Sequence, residues 1–175
     1  MLILAIDPGN EQSGYALICD DYKPLLHGKL PNDDLLLEVA SLQYDTLVLE
    51  MVAHYGKGMP AGKTVFDTCV WIGRFQQMAD ARGIPTDFIM RGEEKIAMCG
   101  SAKAKDANIR QALIDRFART PNGKGTKKAP DFFYGFAADV WQAYAVGVTW
   151  LDKRTEEEKH GNSACNVAGA KSQTA

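Results

Sequence analysis

The chain has 175 residues, of which 46% are apolar, and this is enough for one domain with a sizeable core. It has no run of about 18 uncharged apolar residues and no basic start before an apolar segment, so we expect neither a membrane span nor a secretory signal. Its four cysteines lie far apart and do not pair with its three histidines at zinc-ligand spacings, which favours reduced thiols in a cytoplasmic protein.

The charge of the chain is unevenly distributed, although the net charge is only −2. Residues 1–50 carry a net charge of −7, residues 51–130 carry +7 and residues 131–175 carry −2. A basic middle segment suggests a polyanionic partner for that segment. Ordinary solvated helix faces explain the same excess slightly better when charge alone is considered.

The first part of the chain shows three strand patterns, a helix and a fourth strand. Residues 2–7 and 14–19, with a weaker pattern at 24–29, are separated by short turns, which predicts an antiparallel meander. Residues 33–42 begin with two acids and continue with apolar residues at helical spacing. Residues 46–52 are apolar almost throughout, which favours a central or parallel strand.

Strands and helices alternate in the rest of the chain. We predict a long helix over 63–82, a fifth strand over 84–90, a helix over 103–118 and a last helix over 135–152. The pattern as a whole predicts an α/β domain over residues 1–152, with a mixed five-stranded sheet flanked by helices. Residues 153–175 are poor in large apolar residues and are expected to form a disordered tail.

A glycine-rich stretch, GKGMPAGKT at 56–64, lies between the fourth strand and the long helix. A nucleotide-binding P-loop needs four residues between its first glycine and Gly-Lys-Thr, and that glycine would fall at position 57, which is lysine. Pro60 also lacks a backbone N–H that a phosphate cradle would use. We therefore expect no nucleotide cofactor, and Lys57 and Lys63 become candidate phosphate contacts of another kind.

Three acids occupy positions where chemistry is expected. Asp7 and Glu50 lie near the ends of apolar strands, where a charge is costly unless it is paired or binds a metal. Crossover rules bring the fourth strand parallel to the first, and Asp139 lies in the first turn of the predicted last helix. A turn cap, a buried arginine and a helix N-terminus would each explain one acid alone. Together they favour a Mg²⁺ or Mn²⁺ site, with two ions suited to phosphodiester cleavage.

The opening segment ILAIDPGNEQSGYALI resembles the start of the RuvC family of Holliday-junction resolvases, which belong to the ribonuclease H-like superfamily. The resemblance continues through LVLE, SAKAKDANIRQALIDRF and AADVWQAYAVGVTW, and it covers about residues 2–150. The later segments look most like the phage-encoded branch. The resemblance implies a dimeric, Mg²⁺-dependent endonuclease that cuts branched DNA in a bacterium or a phage-infected cell. It assigns the metal-binding acids to Asp7, Glu50 and Asp139.

The chain departs from the RuvC pattern at one position. The family usually has an aspartate three positions after the first acid or histidine of the last helix, and this chain has Gln142 there. The neutral amide of Gln142 is a candidate metal ligand that can coordinate weakly or position a water, but it adds no negative charge. Either Asp139 suffices, or another acid such as Asp131 or Asp106 contributes. For Asp106 we favour a local role in the first turn of its helix. Gln142 leaves open the alternative of a non-catalytic protein that binds branched DNA.

Other side chains are candidates for contact with DNA. Phe132, Phe133 and Tyr134 could stack on bases, although core packing or loop anchoring is the favoured use of these three. A nucleotide phosphotransferase also starts with a strand, an aspartate and a glycine, but it needs two such domains, for which 175 residues are too few. Charge and resemblance point to further phosphate contacts, namely Lys103, Lys105, Arg110, Lys124, Lys127 and Lys128.

A homodimer is expected from the resemblance and from apolar surfaces in the sequence. The last helix has two apolar stripes on roughly opposite faces, so one stripe can cover the sheet and the other needs a second cover. An apolar face on residues 64–79 is the alternative dimer surface.

Overall fold

The structure is a computed structural model that describes residues 1–52 and 62–169, with side chains up to residue 160. Within these ranges, no helix combines the length and the apolar character needed to cross a membrane. Lys57 and most of the glycine-rich stretch lie outside the described residues.

Five strands form one sheet in the order β3–β2–β1–β4–β5. β1 pairs antiparallel with β2, and β2 pairs antiparallel with β3, which is the predicted meander. β4 runs parallel to both β1 and β5, and the predicted mixed sheet is therefore confirmed. The strands are β1 (Leu2–Asp7), β2 (Gln12–Cys19), β3 (Pro24–Pro31), β4 (Thr46–Met51) and β5 (Thr86–Met90).

Five helices cover the two faces of the sheet. α1 and α2 pack over the face that carries Leu4 and Leu47, whereas the other helices pack over the face that carries Ile3 and Val48. Because side chains alternate along a strand, the odd-numbered residues of β1, including Asp7, lie on the face that carries Ile3 and Val48. The helices are α1 (Asn32–Ser41), α2 (Lys63–Ala81), α3 (Arg91–Cys99), α4 (Asp106–Phe117) and α5 (Val140–Gly169).

The helix α3 was missed in the sequence. It has only nine residues, RGEEKIAMC, and their apolar side chains are too few to show a helical period. Two signals were present: acids in the first turn, and Gly100, which ends the helix with a left-handed φ of 67°. Because α3 starts directly after β5, its first residue lies at the same edge of the sheet as the ends of β1 and β4.

Two other helix boundaries differ from the prediction. α4 begins at Asp106 rather than at 103, because Lys105 has an extended backbone and its N–H donates to the Asn108 side chain at 2.9 Å. α5 begins at Val140 and continues to Gly169, into the segment assigned to a tail. Charged residues support this extension, including an i,i+4 ion pair between Arg154 and Glu158. The domain boundary at 152 stays a prediction.

The helix α5 is buried on both of its apolar sides by its own chain. Ala143 and Val146 of the second stripe are fully buried, and Trp150 donates its indole N–H to Asp87 at 2.7 Å. α5 packs on β1 and β2 and also against α3 and α4. The second stripe therefore has its cover without a partner subunit.

Two glycines allow the α5 region to lie close to the sheet. A Cβ atom on Gly147 would come within 2.5 Å of the Ile18 side chain and 3.0 Å of the Ala5 Cβ. A Cβ atom on Gly14 would come within 2.5 Å of the backbone oxygen of Asp139. These contacts fix the start of α5 directly above β2, beside the end of β1.

Candidate active site

Asp7 and Glu50 lie side by side at the ends of two parallel strands. The register pairs Ile6 with Leu49, so the next residue of each strand is one of the two acids. Their carboxyl groups are within hydrogen-bonding reach of each other. Burial, together with the charge of Glu50, raises the pKa of Asp7 well above its ordinary value. Burial also raises the pKa of Glu50, against the lowering effect of Arg91. Two ionised carboxylates are therefore unfavourable at this position.

Asp139 lies beside this pair but precedes α5 instead of occupying its first turn. Its backbone oxygen accepts the N–H of Ala143 at 3.0 Å, as expected for the residue before a helix. Its carboxylate contacts the Lys29 ammonium at 2.6 Å. Gly14 pairs with Asp7 on one side and with Lys29 on the other, so the missing side chain leaves room for Asp139 between them. The charge of Asp139 contributes to the raised pKa of Asp7.

Arg91 is the cationic centre of the site. A buried arginine was considered as a partner for one of the acids, but the sequence did not identify Arg91 as that residue. Its Nη1 donates to the Gln142 Oε1 at 2.6 Å and to the Glu94 Oε2 at 2.7 Å, and it lies 3.5 Å from the Glu50 Oε2. Its Nη2 donates to the Asp106 Oδ1. Only 19% of the Arg91 side chain is exposed. Gln142, the residue that departs from the RuvC pattern, is thus a neutral acceptor for a guanidinium group.

Glu94 is a second residue that the sequence did not reveal. It is fully buried, and burial raises the pKa of its carboxyl group to about 8, although the nearby Arg91 favours the charged form. Its Oε1 has no hydrogen-bond partner among the described residues. The i,i+3 spacing with Arg91 was visible in the sequence, but the same spacing is common on exposed helix surfaces.

The two acids considered as substitutes for a missing ligand have different positions. Asp106 is the first residue of α4, as the local interpretation expected, but it also bonds Arg91 at the site. Asp131 accepts from the backbone N–H groups of Arg119 and Thr120 and from the Thr120 hydroxyl. These bonds lower the pKa of Asp131 to about 2. Asp131 therefore braces the basic loop at 119–131.

Apart from Arg110, the described cationic candidates lie in three places: helix α2, the linker before α4 and the loop at 119–131. Lys63 begins α2 and pairs with Asp67 at 2.6 Å. Lys103 and Lys105 are exposed in the linker before α4. The lysines of the loop at 119–131 range from half-buried to exposed, namely Lys124, Lys127 and Lys128.

Arg110 is the cationic candidate that the structure brings next to the acids. Its guanidinium lies 4.9 Å from the centre of the Trp141 ring. It lines a groove of about 610 Å³ together with Asp106, Asp139 and Gln142. Of the nearby aromatic residues, Phe133 is fully buried, which confirms core packing for that ring.

The donor atoms fit one divalent cation better than two. Asp7 and Glu50 supply hard oxygen atoms side by side, and a cation between them would offset the cost of two buried negative charges. Among the described residues, however, no three His, Cys, Asp or Glu side chains are grouped as a metal site. Lys29 and Arg91 already contact the oxygen atoms of Asp139 and Gln142. The residues present do not fit a second ion beside Gln142.

Comparison with solved structures identifies the fold. RuvC from Thermus thermophilus superimposes with a TM-score of 0.64 at 15% sequence identity, covering 89% of this chain and 97% of that one. T. thermophilus RuvC in complex with a Holliday junction substrate gives 0.62 at 16% identity, covering 85% and 92%. The chain has a RuvC-like, ribonuclease H-like fold. No protein-family model and no curated protein matches the sequence.

The RuvC-like fold confirms the fold class expected from the sequence. At these identities the likeness concerns the fold alone. The phage-encoded branch, the metal ions and the roles of the individual acids stay predictions.

Replacing Glu94 by glutamine should change how stability depends on pH. In the folded protein Glu94 keeps its proton up to about pH 8, whereas in the unfolded chain it ionises near its ordinary value of 4.5. Folding therefore binds a proton, and this contribution to stability falls as the pH rises between these values. We expect the wild type to lose on the order of 2 kcal/mol more than Glu94→Gln between pH 5 and pH 8.

Urea unfolding in EDTA at several pH values measures this difference. The matched control is Glu93→Gln, which alters the adjacent exposed carboxylate and should keep the wild-type slope. Equal slopes for the wild type and Glu94→Gln would contradict the protonated state of Glu94.

Proposed function

We propose that this chain is a metal-dependent endonuclease that hydrolyses phosphodiester bonds in branched DNA, with four-way junctions as its main substrate. The observation that carries the proposal is the buried Asp7–Glu50 pair at the ends of β1 and β4, beside Asp139. A divalent cation bound between two close, buried carboxylates would offset their mutual repulsion. Because the pKa values of both acids are raised, metal affinity would rise with pH.

Mg²⁺ is the proposed cofactor, and Mn²⁺ is expected to substitute for it. When bound, such an ion polarises a phosphate oxygen and lowers the pKa of a bound water. Asp7 and Glu50 would hold it, and Asp139 would join them once its carboxylate leaves Lys29. Lys29 would then be available to a phosphate group, because its side chain is 40% exposed.

The substrate class is supported by the fold and by the distribution of cations. The T. thermophilus RuvC of the same fold was solved in complex with a Holliday junction substrate. In this chain the groove beside Asp139 and Gln142 contains Arg110 and lies next to the loop at 119–131. Lysines bind phosphates without reading the base sequence, as a structure-selective nuclease requires. Activity in the cytoplasm of a bacterium or a phage-infected cell is part of the proposal.

A non-catalytic protein that binds branched DNA is the second candidate. Two observations favour it: Gln142 adds no negative charge to the site, and Arg91 occupies the space in front of it. Both candidates predict binding to junctions, and only the nuclease predicts cleavage.

We also propose that the protein forms a homodimer through α2. Phe66 and Val70 are 61% and 62% exposed, and the other described parts of the chain leave this helix face open. Val70 also borders an apolar concavity of about 410 Å³ that includes Leu36 and Met78. An isologous two-fold contact would cover the same patch on both subunits.

Asp7→Asn should abolish cleavage and leave junction binding intact. The amide keeps the shape of the side chain but removes a charge that the cation needs, so we expect the cleavage rate to fall by about 10³-fold or more. A gel assay with synthetic four-way junctions and Mg²⁺ or Mn²⁺ measures cleavage and binding together. Asp34→Asn, on the exposed surface of α1, is the control that should cut normally. Binding by the wild type without cleavage under either metal would favour the second candidate.

Removal of the loop lysines should weaken junction binding and reduce its dependence on salt. Lys127→Ala with Lys128→Ala removes two phosphate contacts, so the slope of log K against log salt should become shallower by about 2. The paired control, Lys23→Ala with Lys159→Ala, removes the same charge elsewhere on the surface. Fluorescence anisotropy at several salt concentrations gives both slopes. Lys57→Ala with Lys63→Ala tests the glycine-rich stretch in the same way. For either pair, an unchanged salt slope would show that those lysines do not contact the DNA.

Val70→Glu should convert the proposed dimer into a monomer. The charge would lie in a contact that the two subunits share, where it cannot be solvated. Sedimentation at micromolar concentrations should give a dimer for the wild type and a monomer for the variant. Ile96→Glu is the control, because Ile96 is similarly exposed, at 56%, but lies on α3. A wild-type monomer under these conditions would contradict the dimer.

A further inference from the structure

Arg91 fills the space where a second cation of a two-ion site would need oxygen ligands. Its Nη1 lies 2.6 Å from the Gln142 Oε1 and 3.5 Å from the Glu50 Oε2. A divalent ion that used these two oxygen atoms would stand against the guanidinium. Two like charges in a half-buried site repel strongly, because the surrounding dielectric constant is low.

The position of Arg91 is fixed by its neighbours along α3. It is the first residue of the helix directly after β5, and Glu94 lies one turn later on the same side. Glu94 is fully buried and holds the Nη1 at 2.7 Å. Moving the guanidinium away would leave this carboxyl group buried without a partner, which is costly. Glu94 is therefore a positioning residue for Arg91.

The amide of Gln142 is suited to this arrangement. Arginine has only donors, and the Gln142 Oε1 accepts one of them without adding negative charge. An aspartate at this position would offer a charged oxygen to a metal ion, as the resemblance to RuvC led us to expect. Gln142 thus supplies a neutral acceptor in place of the acid. Arg91 supplies a fixed positive charge in place of the cation.

One edge of the guanidinium faces an exposed partner. The Nη2 donates to Asp106, whose side chain is 67% exposed. A DNA phosphate can take the place of this carboxylate, because Asp106 would then be solvated and not left buried. The planar guanidinium is well matched to phosphate oxygen atoms.

We propose that Arg91 serves as a built-in cation, so that each site takes one divalent ion at Asp7 and Glu50 and uses the guanidinium in place of a second ion. The role in cleavage rests on the proposed nuclease function, whereas the number of bound ions does not. The phosphate of the DNA would lie between the ion and Arg91.

Electron paramagnetic resonance of Mn²⁺ tests the number of ions. We expect one isolated Mn²⁺ per protomer in wild-type protein, both alone and with a four-way junction, and a six-line spectrum. Arg91→Met with Gln142→Asp removes the guanidinium and restores an acid, so it should bind two ions about 4 Å apart with a spin-coupled spectrum. A spin-coupled pair in the wild type would overturn the proposal, as would a single ion in the double variant.

Cleavage by an arginine variant tests the role of the charge. Arg91→Ala should cut junctions about 10²-fold more slowly, and added guanidinium chloride should restore part of the rate. If this variant does not fold, Arg91→Ala with Glu94→Gln also replaces the buried carboxyl group that loses its partner, and it serves instead. Arg154→Ala, on the outer part of α5, should cut at the wild-type rate with or without guanidinium. A wild-type rate for Arg91→Ala, or a folded variant that guanidinium does not rescue, would contradict the proposal.

The two proposals fail in different ways. If wild-type protein cuts no junction, the nuclease function is wrong, but the Mn²⁺ spectra still decide the number of ions because they need no turnover. If the wild type cuts junctions with a spin-coupled ion pair, the function stands and the role of Arg91 is wrong.

Discussion

The parallel pairing of β1 with β4 is the constraint on which the rest of the site depends. Its register brings Asp7 and Glu50 together in a poorly solvated position, where two negative charges repel each other. Arg91 reduces this cost, because it lies 3.5 Å from Glu50. Gly14 lets a third acid, Asp139, approach without a side chain in between, and Lys29 pairs with that acid.

The site therefore combines carboxyl oxygen atoms suited to a cation with a buried ion-pair network. Arg91 holds together four elements, because it contacts residues of β4, α3, α4 and α5. Such a network can serve stability alone, but it lies at the edge of the sheet where open α/β folds bind their ligands. Within residues 1–52 and 62–160, the Oε1 of Glu94 has no hydrogen-bond partner, and a purely structural network would be expected to avoid such a buried polar atom.

The sequence allowed prediction of the parts that depend on local patterns. Apolar runs identified all five strands, and the order of strands and helices led to the mixed sheet and to the pairing of Asp7 with Glu50. α3 was missed because nine residues are too few to show a period. Arg91 and Glu94 were missed because an arginine and a glutamate three residues apart are ordinary on a helix surface. Asp139 was predicted inside the first turn of the last helix, but it precedes α5. The residue before it, Ala138, has a positive φ of 38°, which an alanine in the sequence does not indicate.

Anomalous scattering from crystals soaked in Mn²⁺ would locate every bound ion. We expect one peak per protomer between the carboxyl groups of Asp7 and Glu50, with the Arg91 guanidinium still hydrogen-bonded to Gln142. No peak at this pair, or a second peak in the space held by Arg91, would contradict this expectation.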